Sequence, residues 1–329
     1  MTSKEMVRRA FSRGELPRNP FIPWVFSHAA RLEQISVREM LADPGRLARA
    51  LHNAQSLYGY DAVTNVFDHT LEAECCGCPV VWGAEHELPS VLGHPMSYDV
   101  TQSDILNLER NGRLPVVLEA TRRLKITLGR TVAMVAVITG PFALADRLLA
   151  VSIMEGLEDS FEKAKSLVKF AGQVALKVCQ MYCELEPDVV VIADDSLPQL
   201  APEHFSLARS VFGPIWNTVR FYNAYPVLML RGCSTDNLEH LLDLGADSTV
   251  VSGEIDFTYL NKAVSKRDLV FGYAIPCSAL ADPKQELADY VSKYFATARS
   301  RMFLTTEWEV PADTPPENMH ELIRLITRG

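Results

Sequence analysis

YPVLMLRGCS, residues 225–234, is a short apolar run that stops abruptly at Arg231, Gly232 and Cys233. Behind it, Asp236 and Glu239 stand at the spacing of an N-capping pair, Leu238, Leu241 and Leu242 recur at helical intervals, and Gly245 closes the segment. The stretch reads as strand, polar turn, helix. A strand of a parallel sheet delivers the residues at its C-terminal end to a ligand, so Arg231 and Cys233 become the first site candidates.

The same grammar repeats in both directions along the chain. Residues 21–26 (FIPWVF) form an apolar run ending at Ser27, His28 and Arg31. Residues 61–67 end in Asp68-His69, 131–139 in Gly140-Pro141, and 188–193 in Asp194-Asp195. Residues 248–252 lead to Glu254, 268–273 end at Tyr273, and 302–305 lead to Glu307, Trp308 and Glu309. Helical patterns separate most of these runs. Ser36 and Glu39 have capping-box spacing, as do Thr2 and Glu5. Asp43-Pro44 and Asp282-Pro283 read as helix starts, and Thr314, Pro315 and Glu317 as the start of a C-terminal amphipathic helix. About eight β/α units in this length predict a single-domain (β/α)₈ TIM barrel over residues 1–329, with strands buried on both faces. No glycine-rich dinucleotide fingerprint follows any strand.

The composition narrows the function. The chain has 329 residues, 48% of them hydrophobic, and a formal net charge of −9 without a long basic run. Neither nucleic acid nor an anionic membrane suits that surface. The seven cysteines are an odd number in a long chain and predict free thiols in a reducing, cytoplasmic compartment. The N-terminus is a charged amphipathic helix, not a signal peptide, and no apolar run reaches the roughly 20 residues of a membrane span. A long insert at 70–111 carries Cys75, Cys76 and Cys78, whose C-C-x-C spacing is not that of a zinc site. Loops of that length are usually functional.

Each strand end offers an inert reading beside a chemical one. Asp68 is a general base or a helix cap, and His69 a proton shuttle or a surface histidine. Strand alternation predicts that one of the two faces the cleft, and Asp68 is the choice. By the same rule Asp194 is taken over Asp195. His28 and Arg31 suit an anionic ligand, Trp308 a flat one or a plug of the barrel mouth, and Cys233 either a ligand position or a tight turn, while Tyr273 sits at a strand end without a distinguishing pattern. Glu307 and Glu309 read as solvated loop charges.

Several segments, in order, resemble the uroporphyrinogen decarboxylase superfamily: SHAARLEQISVREML (27–41), YGYDAVTNVFDHTLEAECCGC (58–78), ITGPFALADRLL (138–149), PDVVVIADD (187–195), LLDLGADSTVV (241–251) and EVPADTPPENMHELI (309–323). The resemblance implies a barrel with its cleft at the C-terminal face, and it covers nearly the whole chain. Decarboxylase members carry an R-Q-A-G-R segment for the carboxylates of their substrate; here His28-Ala29-Ala30-Arg31 keeps only the second arginine. Asp68 matches the aspartate those enzymes place after the second strand. Zinc methyltransferase members use His-x-Cys after the fifth strand and a later Cys; here those places hold Arg231, Cys233 and Trp308. A guanidinium cannot ligate zinc, so no bound metal is expected. The resemblance implies methyl transfer between a small-molecule donor or acceptor and a corrinoid carried by a partner corrinoid-binding protein. Asp68, His69 and Asp194 are its expected catalytic residues. His28, Arg31, Arg231, Cys233, Tyr273 and Trp308 are its expected binding residues. The alternatives are a cofactor-free decarboxylase of uroporphyrinogen or another polycarboxylate, and a non-catalytic tetrapyrrole-binding barrel.

Overall fold

In the computed structural model, eight strands form one all-parallel sheet: β1 Phe21–Trp24, β2 Ala62–Thr64, β3 Ala133–Thr139, β4 Val189–Asp194, β5 Tyr225–Cys233, β6 Ser248–Gly253, β7 Val270–Ile275 and β8 Met302–Glu309. The structure describes residues 1–12, 14–94, 107–281, 285–297 and 301–328. The order across the sheet is β1-β8-β7-β6-β5-β4-β3-β2, so the two outer strands are the first two of the chain. They meet through Asp61. Its N–H donates to the Phe21 carbonyl at 2.9 Å, and its buried carboxylate accepts from the Phe21 N–H at 2.8 Å and from Arg18 at 2.7 and 3.0 Å. One aspartate therefore fastens β1 to the start of β2 and draws the sheet into a nearly closed barrel. The helices lie outside. β3 and the first five residues of β4 are apolar or threonine, and both strands are buried throughout, as a parallel sheet covered on both faces requires.

The helix Ser3–Phe11 plugs the N-terminal end of the barrel. Its capping box at Thr2 and Glu5 is formed, Lys4 and Arg8 reach Asp188 at 3.2 and 3.0 Å, and Phe11 stacks on Tyr225 and Phe303. Burying a phenylalanine contributes about 1.5–3 kcal/mol. With that end plugged, the C-terminal mouth is the open face.

Helix starts follow the sequence with two exceptions. Ser36–Glu39 and Asp43 cap as expected. The helix after β5 begins at Thr235 behind Ser234, so Asp236 lies inside its first turn, and Glu239 binds Arg267 at 2.7 Å instead of capping. The C-terminal helix starts at Pro316, one residue late, and the buried Thr314 hydroxyl has no partner. The start expected at Asp282-Pro283 lies outside the described residues. So does part of the 70–111 insert; its described portion holds the helix Leu71–Cys75 and a short antiparallel ribbon, Val80–Val81 against Ser90–Val91. Among the described residues no helix is long and apolar enough to cross a membrane.

Candidate active site

Two register slips build the site. Between Leu230 and Cys233, β5 slips against β6, and Gly232 takes φ +75°, in the left-handed region that glycine tolerates. The slip is possible because residue 253 is also glycine: a Cβ there would lie 2.2 Å from the Cys233 carbonyl oxygen. Arg231 is thereby turned out to solvent while Cys233 is buried. The second slip is where β8 meets β1. Ile22 pairs with Thr305 but Trp24 with Glu309. The Thr306 hydroxyl donates to the Trp308 carbonyl at 2.7 Å and accepts from the Trp24 N–H at 3.2 Å, holding the bulge. The two displaced side chains meet: the Arg231 guanidinium lies over the Trp308 indole at 5.2 Å.

His69 joins them. Its ring stacks on Trp308 at 4.7 Å and meets Phe67 edge-on at 5.0 Å. Burial lowers its pKa from 6.5 to about 4; Arg147 and Arg231 push the same way, against Asp195 and Asp68. The ring is therefore neutral at physiological pH, and its buried Nε2 has no hydrogen-bond partner.

Asp68 is held, not free. It accepts from the Thr70 N–H at 2.9 Å, the Thr70 hydroxyl at 2.7 Å and Arg113 Nη1. Arg113 also binds Glu74 at 2.7 Å and lies 5.1 Å from the Trp82 ring of the insert. Deeper, Glu72 accepts from Thr139 at 2.6 and 3.3 Å, and burial raises its carboxyl to about 6. Opposite, Arg147 pairs with Asp195 at 3.2 Å. Burial works against ionisation of Asp195, but that arginine outweighs it and lowers its pKa.

Asp68, His69, Arg231 and Trp308 thus come together at the mouth. Alternation did not govern Asp68 and His69, because β2 ends at Thr64 and both follow in irregular backbone. Asp194 takes a different place from the one expected. It is fully buried and accepts from the N–H groups of Phe142, Ala143, Ser196 and Leu197 at 2.9–3.3 Å, capping the helix Pro141–Leu148. Burial raises its pKa to about 7 against those donors. A Cβ on residue 140 would sit 2.3 Å from its carboxylate, which explains Gly140. Its neighbour Asp195 reaches the mouth. His28 is committed to the protein, Nε2 to the Tyr58 hydroxyl at 2.8 Å and Nδ1 to the Ala312 carbonyl at 3.2 Å. Arg31 is exposed on the helix Ser27–Leu32. Burial raises the Cys233 thiol to about 12. Tyr273 turns outward, donating to the Tyr290 carbonyl at 3.4 Å. It lines a separate cavity of about 580 Å³ whose aromatic walls include Phe257 and Tyr290, and which touches the mouth at Glu307.

Four mouth residues have no clear signal in the sequence. Arg113 lies two residues past the insert, at the start of the helix Leu114–Thr127, Arg147 sits within the ITGPFALADRLL segment, and Cys277 and Glu309 follow β7 and close β8. Glu309 is partly buried, accepts from the Ser27 N–H, and takes the Cys277 thiol on its carbonyl at 3.2 Å. Only the bulge in β8 carries it inward.

The mouth does not fit a zinc ion of the His-x-Cys…Cys kind. Two of the three ligand places hold Arg231 and Trp308, which stack on each other. Among the described residues no three His, Cys, Asp or Glu side chains gather in metal-binding geometry.

A nearly closed parallel barrel with a polar C-terminal mouth is the class that fold and site define. The family model for uroporphyrinogen decarboxylase matches residues 2–328, and the chain belongs to that family. Methylcobamide:CoM methyltransferase MtbA of Methanosarcina mazei is 23% identical over 331 residues, covering 98% of this chain and 96% of that protein. Methylcobamide:CoM methyltransferase MtaA of Methanosarcina barkeri is 28% identical over 254 residues, 74% of each chain. A solved methyltransferase structure from Methanosarcina mazei superposes with a TM-score of 0.88 at 20% identity, covering 100% of this chain and 99% of that one; at this identity it supports the fold.

Proposed function

We propose that this protein is a corrinoid-dependent methyltransferase that moves a methyl group between a small molecule and a corrinoid presented by a partner protein, without a zinc-bound nucleophile. The observation that carries the reading is the Arg231–Trp308 pair beside a neutral His69, in the places where zinc-using relatives would bind their metal. Arg231 is the exposed cation of the mouth and, among the described residues, makes no ion pair, which suits the anionic end of a small substrate. Trp308 is the aromatic surface of the mouth, with His69 stacked on it and Phe67 packed edge-on against both rings. Asp68 has its oxygens engaged by Arg113 and Thr70, so it frames the mouth and is not free to bind a ligand. A polycarboxylate decarboxylase is the weaker reading, because Arg113 and Arg147 are already consumed by carboxylates of the chain itself.

The test is optical. The protein is mixed with a corrinoid protein in its methylated and its reduced form, together with a panel of small thiols and methyl donors, and the visible spectrum is followed. Conversion between the two corrinoid states, accelerated at least tenfold over the protein-free mixture, is expected. A spectrum that moves no faster with the protein than without it overturns the proposal.

A further inference from the structure

We infer that Glu309 is the proton donor of this site, and that the site takes its methyl group from a small anionic methyl ether or thioether whose heteroatom must be protonated as it leaves. The inference rests on the methyl-transfer reading above. Two carboxyl groups sit in the mouth in opposed environments. Asp68 has a guanidinium and two Thr70 donors on its oxygens. Glu309, from the end of β8, receives the Ser27 N–H but, among the described residues, has no cationic partner. Burial in the mouth raises its carboxyl to about 8, and the fixed charge of Asp68 reinforces the rise against the Ser27 donors. The Cys277 thiol, itself raised to about 12 by burial, donates to the Glu309 main-chain carbonyl. Of the two carboxyl groups, Glu309 is the one with no cation on its oxygens, and it is therefore the one placed to carry a proton.

The role answers a chemical need left by the stacked Arg231–Trp308 pair. Where no metal stabilises the departing heteroatom, a proton must. The step balances as follows. The reduced corrinoid supplies the electron pair that forms its bond to the methyl carbon. The bond from carbon to oxygen or sulfur breaks, its pair stays on the heteroatom, and that atom takes the Glu309 proton. The products are an alcohol or thiol, the methylated corrinoid and the Glu309 carboxylate, which is reprotonated from solvent. Arg231 holds the substrate's anionic end.

The experiment uses the full-length protein with free cob(I)alamin as acceptor and methoxyacetate and (methylthio)acetate as donors. The expected rate is flat below neutrality and falls tenfold per pH unit well above 8. Glu309→Gln, which keeps an acceptor for the Ser27 N–H, is expected to lower the rate on the order of 10²-fold and to remove the limb. A rate that rises through pH 8, or a limb unchanged in the variant, overturns the inference while leaving methyl transfer standing. A wild type that demethylates neither donor and methylates no thiol in the reverse direction, with free cob(I)alamin and with a corrinoid protein alike, overturns the reading beneath it. A second readout is independent of turnover. Difference infrared spectra of wild type against Glu309→Gln are expected to show a protonated carboxyl at pH 7 that ionises near 8. A carboxylate already ionised at pH 6 overturns the inference.

Discussion

The two halves of the barrel mouth are built from the same kinds of side chain and arranged in opposite ways. On the side of β2 and the insert, charge meets charge: Arg113 binds both Asp68 and Glu74, and Thr70 takes what Asp68 has left. On the side of β5 and β8, Arg231 rests on an indole, His69 leaves its Nε2 unbonded, and Glu309 has no cation. The first half is a finished electrostatic frame. The second has unmet hydrogen-bonding and charge demands, which is the condition of a surface that awaits a ligand.

Three substitutions can break or sharpen that contrast. The largest effect is expected in the finished half. Arg113→Ala strands two carboxylates, one of them fully buried, and is expected to cost about 3–5 kcal/mol of stability in urea unfolding. A loss under 1 kcal/mol would mean the frame is not a frame. Next is the pH response of His69. Its folded pKa, about 4, lies below the unfolded value near 6.5, so the unfolded chain binds the extra proton between them. Its contribution is intact above pH 6.5, is lost as pH falls through that window, and is flat below 4. Relative to His69→Phe, wild type is expected to lose about 3 kcal/mol between pH 7 and pH 4. Parallel stability curves for the two proteins would refute the burial argument. The smallest effect on stability belongs to the open half. Arg231→Ala is expected to change unfolding by less than about 0.5 kcal/mol. It should also lower kcat/KM for an anionic donor roughly 10- to 100-fold, the worth of one hydrogen bond to a charged group. Equal losses for anionic and neutral donors would remove Arg231 from substrate binding.

The site was legible in the sequence in proportion to how local its geometry is. Arg231, Cys233 and Trp308 were visible as strand ends because a parallel strand has a direction. Asp194 and Asp195 exchanged their expected parts, since which carboxylate caps the helix Pro141–Leu148 depends on how near Gly140 lets β4 approach. His28 looked like a ligand and is a satisfied core histidine, because its partners, Tyr58 and Ala312, lie far away along the chain. Glu309 looked like a loop charge because nothing in EWEV announces a register slip.

The linear order of residues by itself determined the barrel. Eight apolar runs, each closed by a polar turn and mostly followed by an amphipathic helix, bury both faces in one parallel sheet, and about eight such units in this length favour wrapping it into a barrel over leaving it open. Tertiary structure alone decided the chemistry of the mouth. Whether a carboxyl is paired or lonely, and whether an arginine meets a glutamate or an indole, depends on angstrom-scale distances between residues up to hundreds of positions apart. Those distances are set by two bulges and one insert, on which hydrophobic periodicity carries no information.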